Sequence, residues 1–381
     1  MTVISANSAR LNIGRQETLR RQFPGWVSVW LWGVALLVIA MVVVGGTTRL
    51  TGSGLSITEW RPVTGALPPL SKADWLAEFA RYQASPQYHL LNAGMSLADF
   101  KSIFWWEWGH RQLGRFIGLV YVAGFAIGLL RRTFPLGVAL RLGGMGLLLG
   151  FQGLIGWVMV ASGLKAGMTA VEPVDLAAHL LFASLFLVTV VAMATRLGRA
   201  ASAGRVDDRS VPILPRLIVL MVLVQLVLGA LVAGSHAGLI YNSWPDMDGR
   251  FVPPLPELFA SSPWWANLFE NVTLIQLDHR LGAYVLVGLA LWNAIAWPRR
   301  GSGRASLAPL AWLVALLALA QMGLGIFTLL FAVPLHAALG HQLLAMFVLV
   351  AAVRLAVLTR LSGEEAVSTA ASPLAAHVAT R

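Results

Sequence analysis

The chain has no cysteine among its 381 residues, and only 12% of its residues are charged. The absence of cysteine excludes disulfide bonds, thiolate metal sites and cysteine nucleophiles. Because soluble domains average about 25% charged residues, so little charge argues against an ordinary soluble domain. Hydrophobic residues make up 57% of the chain, which predicts a protein that crosses a membrane several times.

Eight hydrophobic segments approach or exceed the roughly 20 residues that a helix needs to cross a bilayer. They lie near 26–44, 112–130, 142–161, 174–195, 213–233, 280–297, 307–331 and 334–358. Arginines concentrate before the first segment, in every second connection and after the last segment. The positive-inside rule makes that side cytoplasmic, with both chain termini inside.

The formal net charge of +11 is therefore explained by membrane topology. The basic side can also attract anionic lipid. A nucleic-acid partner is not predicted. We expect an integral protein of the bacterial inner (plasma) membrane.

The two halves of the chain repeat one another. A first set recurs at one constant offset: Gly45, Gly54, Leu55, Trp60, Gly65 and Pro69 as Gly229, Gly238, Leu239, Trp244, Gly249 and Pro253. A second set recurs at another constant offset: Gln152, Gly156 and His110-Arg111 as Gln321, Gly325 and His279-Arg280. Four spans in each half give parallel repeats. The predicted fold is an all-α polytopic membrane protein with eight transmembrane helices as two tandem four-helix bundles.

The predicted divisions follow these repeats. They are a cytoplasmic N-terminal segment 1–25, an N-terminal four-helix half 26–196, a cytoplasmic linker 197–212, a C-terminal four-helix half 213–358 and a cytoplasmic tail 359–381. Long outer connections follow the first and fifth spans, and residues 72–82 predict a short amphipathic helix at the membrane interface.

Four histidines belong to four different hydrophobic segments. His110 and His279 each begin a predicted segment, while His179 and His341 lie inside later ones. Alternating spans place all four towards the outer, periplasmic side, where antiparallel helices can pair His110 with His179 and His279 with His341. A single such histidine is most simply an interhelical hydrogen-bonding group. Four histidines at corresponding positions of the repeat favour axial ligation of iron porphyrin at two sites.

Charged side chains accompany these histidines. Arg111 and Arg280 can pair with porphyrin carboxylates or extend to the interface. Glu107 precedes His110 by three residues, on one helical face. Its counterpart in the second half is Gln276. Glu107 can accept a proton, stabilise positive charge or pair with Arg111, so the first half is predicted to be reactive and the second to hold a permanent cofactor.

Several stretches of the sequence resemble the heme A synthase family. They are 45–62 (GGTTRLTGSGLSITEWRP), 107–115 (EWGHRQLGR), 237–249 (AGLIYNSWPDMDG) and 267–280 (NLFENVTLIQLDHR). The resemblance covers roughly residues 25–358. Since the chain has no cysteine, it is similar to the cysteine-free branch found in proteobacteria and mitochondria.

This resemblance implies an oxidoreductase that oxidises a methyl group of heme O to a formyl group, through a hydroxymethyl intermediate, to give heme A for terminal oxidases. By position, His279 and His341 would ligate the iron of a resident heme b, with Arg280 nearby. His110 and His179 would hold the iron of the substrate heme, with Arg111 nearby, and Glu107 would be the catalytic carboxylate. Heme O synthase, oxidase assembly factors and an unidentified electron acceptor are the implied partners.

Two other functions fit the same histidines. A diheme electron-transfer protein would hold two permanent hemes and make no modified product. A heme transporter or chaperone would bind heme exchangeably and would need no acid. The contrast between Glu107 and Gln276 argues against the first. The position of the candidate residues near one surface argues against the second, because transporter sites usually lie at the bilayer midplane.

Overall fold

The computed structural model describes residues 23–199, 213–297 and 302–370, and this part of the chain is almost entirely helical. Its eight long helices are α1 Gly25–Leu50, α2 Leu97–Leu130, α3 Leu136–Gly163, α4 Pro173–Arg199, α5 Leu214–Gly234, α6 Val272–Ala296, α7 Ala308–Leu330 and α8 Leu335–Ala370. All eight are long and apolar enough to cross a membrane. The prediction of eight spans in an all-α membrane protein is confirmed.

Two of the helices begin well before their apolar runs. Helix α2 begins at Leu97, where Ser96 and Asp99 form a capping box, and not near 112. Helix α6 begins at Val272, where the Asn271 side chain accepts from two backbone N–H groups. The expectation that His110 and His279 open their segments is therefore wrong. Capping fixes where a helix begins, whereas hydropathy reports only its most apolar part.

The connection after α1 carries the expected amphipathic helix, Lys72–Gln83, which begins with a capping box at Ser71. Its apolar face packs on the first turns of α2. Trp75 lies edge-on to Phe104, with ring centres 4.9 Å apart. The early start of α2 thus provides the surface that anchors this connection.

The helices of each half contact one another in a ring. Helix α1 contacts α2 and α4, and α3 contacts α2 and α4; in the second half α5 contacts α6 and α8, and α7 contacts α6 and α8. The halves meet where α4 contacts α5 and α8, and where α1 contacts α8. These contacts support two tandem four-helix bundles, an arrangement that stays a prediction.

Most of the predicted cytoplasmic segments 1–25 and 197–212 lie outside the described residues. Helix α8 continues to Ala370, past the end at 358 that the sequence predicts for the second half. The apolar run ends there, but the polar residues that follow are compatible with a helix. Residues 371–381, the rest of the predicted tail, lie outside the described part.

Candidate heme-binding site

The second histidine pair brings two imidazole rings together from α6 and α8. The ring centres of His279 and His341 are 6.4 Å apart, and the rings are nearly perpendicular. Two imidazoles that share one metal stand about 6 Å apart, because each metal–nitrogen bond is roughly 2 Å and each ring adds about 1 Å. The spacing therefore fits a single iron ligated from both sides.

The first pair comes from α2 and α4, which lie opposite one another in the ring of the first half, since each contacts α1 and α3. His110 and His179 lie within electrostatic range of one another. Among the described residues, no group of three or more His, Asp or Glu side chains is placed to hold a metal ion. Paired histidines suit a metal that brings its own equatorial ligands, as iron porphyrin does.

Each of the four histidines packs against a glycine of a neighbouring helix. The pairs are His110 with Gly45, His179 with Gly156, His279 with Gly229, and His341 with Gly325. A Cβ added at these glycines would lie 3.4, 2.8, 3.1 and 2.7 Å from the ring Cε1 atom, in that order. The missing side chain therefore creates the space that the imidazole occupies.

Replacing Gly325 with alanine should displace the His341 ring, because the new Cβ would lie 2.7 Å from its Cε1 atom. We expect Gly325→Ala to lower heme retention by about tenfold, the lower range for a disturbed metal ligand. The measurement is heme per protein after purification. Gly323→Ala on the same helix is the matched control, since a Cβ there meets nothing within 4 Å. Equal heme in both variants would contradict the packing argument.

Three of the four histidines each accept a hydrogen bond from a glutamine of a neighbouring helix. The amide nitrogens of Gln152, Gln225 and Gln321 donate to the backbone carbonyls of His179, His279 and His341, at 2.8, 2.8 and 2.9 Å. The same nitrogens lie 3.0, 2.9 and 3.3 Å from a ring nitrogen of those histidines. Gln152 and Gln321 are repeated residues in the sequence, whereas Gln225, four residues before the repeated Gly229, was not predicted from the sequence.

Glu107 is almost completely buried, at 3% exposure, and ties the connection after α1 to α2. Its Oε2 atom accepts from the Ser56 hydroxyl at 2.7 Å and from the Ile57 N–H at 2.8 Å. Its Oε1 atom accepts from Arg111 at 2.6 Å, as the i,i+4 reading expects. Arg111 also donates to the carbonyls of Ile57 and Glu59.

The second half makes the same connection with a glutamine in place of the carboxylate. Gln276 donates to the carbonyl of Ala237 at 2.7 Å and accepts from Arg280 at 3.1 Å. Arg280 in turn donates to the carbonyls of Tyr241 and Asp246. Glu107 and Gln276 thus do one structural task, and only Glu107 brings a negative charge to it.

The two arginines therefore bind loop carbonyls in the structure. Pairing of Arg111 and Arg280 with heme carboxylates stays a prediction. All three nitrogens of the Arg111 guanidinium donate to protein acceptors. The buried Nε of Arg280 has no hydrogen-bond partner among the described residues.

Among the described residues outside the helices, two titratable groups have a pKa below its ordinary value. Hydrogen bonds from Ser243 and from the Gly249 N–H hold the pKa of Asp246 below its ordinary value. Burial, with the nearby charge of Arg49, lowers the pKa of His236. At neutral pH the His236 imidazole is therefore uncharged and Asp246 is ionised.

Comparison with known proteins identifies the family of the chain. The family model described as cytochrome oxidase assembly protein matches residues 28–353. A heme A synthase of Methylobacterium radiotolerans is 54% identical over 335 residues, covering 85% of this chain and 88% of that protein. Heme A synthases of Methylorubrum extorquens and Azorhizobium caulinodans are 52% and 49% identical, covering 93% and 86% of this chain and 91% and 93% of those proteins. The chain belongs to the heme A synthase family of cytochrome oxidase assembly proteins.

Proposed function

We propose that the two histidine pairs divide the work of converting heme O to heme A. The N-terminal pair, His110 and His179, holds the substrate, and the C-terminal pair, His279 and His341, holds a resident heme b. The observation that carries this division is the buried contrast between Glu107 and Gln276. The halves share their histidines, glycines and loop contacts, but at the position that Glu107 and Gln276 share only the first half has a carboxylate.

The C-terminal pair is suited to a permanent cofactor. Its ring spacing of 6.4 Å fits one iron, and a glutamine supports each ring. The free Nε of Arg280 is a candidate donor to a heme carboxylate. A bis-histidine heme b at this site would supply electron transfer.

The N-terminal pair is suited to positioning the substrate beside Glu107. Conversion of a methyl group to a formyl group, with oxygen from water, removes four electrons and four protons in two stages through a hydroxymethyl intermediate. Glu107 and His110 are three residues apart on one helical face, so the carboxylate and the proposed iron ligand share one side of α2. It accepts a released proton or stabilises positive charge on the substrate.

The hydrogen bonds of Glu107 limit how it acts. Both carboxylate oxygens already have donors, so proton acceptance requires Ser56 or the Ile57 N–H to move away from Oε2. Stabilisation of positive charge requires no such movement. We therefore propose the electrostatic role, in which the Glu107 charge, partly offset by Arg111, acts in a site where burial reduces screening by water.

The contact between α1 and α8 joins the two sites. The Gln342 amide, next to His341, donates to the Val42 carbonyl at 3.1 Å. A Cβ added at Gly46 would overlap Gln342, and the neighbouring Gly45 lies against His110. Electrons that leave the substrate can thus reach the second pair through closely packed protein. The acceptor beyond heme b is a further partner.

The protein is integral to the membrane. We place it in the bacterial inner membrane with both termini cytoplasmic, the heme sites towards the periplasm and lipid around the helices. Supply of heme O implies contact with heme O synthase. Use of heme A implies contact with cytochrome oxidase assembly factors.

Heme analysis tests this function. The protein is purified from a host that makes heme O, and its hemes are extracted and separated by mass-resolved chromatography. We expect heme A, or its hydroxymethyl precursor, together with heme b. Heme b alone, in a host rich in heme O, would instead indicate a diheme electron-transfer protein.

A further inference from the structure

Three of the four histidines have a glutamine at the same repeated position beside them, and the fourth does not. Three of the glycines that pack on histidine rings have a glutamine four residues earlier in the chain. These are Gln152 before Gly156, Gln225 before Gly229, and Gln321 before Gly325. The fourth glycine, Gly45 against His110, has Met41 at that position.

The three glutamines bring a donor and an acceptor to their histidines. The amide nitrogen fixes the backbone carbonyl of the histidine and approaches its ring. The amide oxygens of all three are buried and have no hydrogen-bond partner among the described residues. An imidazole that binds metal through one nitrogen needs an acceptor for the N–H of the other, and that acceptor fixes the tautomer and the ring orientation.

Met41 offers His110 neither of these interactions. A thioether is a weak acceptor and has no N–H or O–H to donate. Met41 is half-buried in α1, and its methyl group would be 3.4 Å from a Cβ at Gly114, one turn beyond His110. The methionine thus packs on the His110 helix and leaves the imidazole without the amide that its three counterparts have.

We propose that Met41 makes His110 the exchangeable ligand among the four histidines. The inference rests on the proposed function, in which the N-terminal pair binds a heme that must enter as substrate and leave as product. Three glutamine-supported ligands hold their iron firmly, and the single unsupported ligand releases first. Met41 is a positioning residue, acting through His110, and the repeat provides the glutamine that would reverse its effect.

Heme release measures this effect without any turnover. Protein loaded with heme b at both pairs is mixed with excess apomyoglobin, and heme transfer is followed by absorbance. The phase lost in a His110→Ala variant belongs to the N-terminal pair. We expect Met41→Gln to slow that phase by about tenfold or more, the effect typical of a hydrogen-bonding partner to a metal ligand.

The reciprocal variant tests the same rule in the other half. Gln225→Met should speed heme release from the C-terminal pair by about tenfold. Met41→Leu keeps the shape without an amide, and its release rate should match that of the unaltered protein. A change in the ligand field at His110 in Met41→Gln, seen by electron paramagnetic resonance, is the accompanying spectroscopic result.

An unchanged N-terminal phase in Met41→Gln would overturn the proposal, as would an unchanged C-terminal phase in Gln225→Met. The second variant keeps the test decisive if the first does not fold. Failure of the proposed function has a different result. It appears as the absence of heme A in extracted protein, whatever the release rates are.

Discussion

The Glu107→Gln variant is expected to keep both hemes and to form heme A at least about 100-fold more slowly. Gln276 shows that an amide fits the equivalent position, where it accepts from Arg280 and holds the loop. The substitution therefore removes the negative charge and preserves most of the structural task. Product formation is measured as heme A and hydroxymethyl heme per resident heme b.

Glu107→Ala separates the structural task from the charge. It leaves the largely buried Arg111 without its carboxylate, and breaking such a pair costs about 3 kcal/mol or more. We expect lower thermal stability in Glu107→Ala but nearly unchanged stability in Glu107→Gln. Ser56→Ala is the control that removes one hydrogen bond to Glu107 and keeps the charge. Normal heme A formation by Glu107→Gln would show that Glu107 serves only to hold the loop.

The proximity of His279 and His341 was predictable because the chain repeats itself. Similar sequence contexts in the two halves place matching histidines at matching positions along their helices. Each histidine then has one other histidine of its own half to pair with. The 6.4 Å spacing of His279 and His341 agrees with the pairing that the sequence predicts. The eight spans were predictable for a simpler reason, since the bilayer sets the length of an apolar helix.

The pairing of Arg111 with Glu107 was predictable from their i,i+4 spacing. The loop contacts of Arg111 and Arg280 were not predictable, because their acceptors are backbone carbonyls in distant loops. No residue type marks a carbonyl as available, and loop conformation decides which ones face the helix. The sequence suggested ligand carboxylates for both arginines, which stays a prediction, and the structure adds the loop carbonyls as acceptors.

The role of Gln225 was missed for a related reason. Its repeat counterpart is Met41, so comparison of the two halves shows a mismatch and not a motif. Only the structure reveals that Gln225 does for His279 what Gln152 and Gln321 do for their histidines. A search for Gln four residues before each histidine-packing glycine would have found all three.

Removing one histidine at a time should divide the four residues into two classes. His279→Ala and His341→Ala are expected to lose resident heme b by more than about tenfold, since loss of a ligand exceeds loss of its supporting partner. His110→Ala and His179→Ala should retain heme b and lose heme A formation. The readouts are heme b per protein and heme A per heme b.

His336→Ala is the matched control for this series. His336 is exposed and lies on α8, five residues before His341, so it shares the helix but not the site. It should retain both heme b and product formation. A general loss of heme in His336→Ala would mean that α8 tolerates no substitution and that the His341 result reports folding.

The two classes of histidine variant also decide which half holds the resident heme b and which half binds the substrate. If His110→Ala and His179→Ala lose heme b while the C-terminal variants keep it, the resident and substrate sites are reversed. Glu107 would then stand beside the permanent cofactor, and its charge would tune electron transfer instead of stabilising the substrate. If all four variants lose heme b equally, the two sites fold as one unit across the α1–α8 contact. The assignment to halves holds only if heme b follows His279 and His341, and heme A formation also requires His110 and His179.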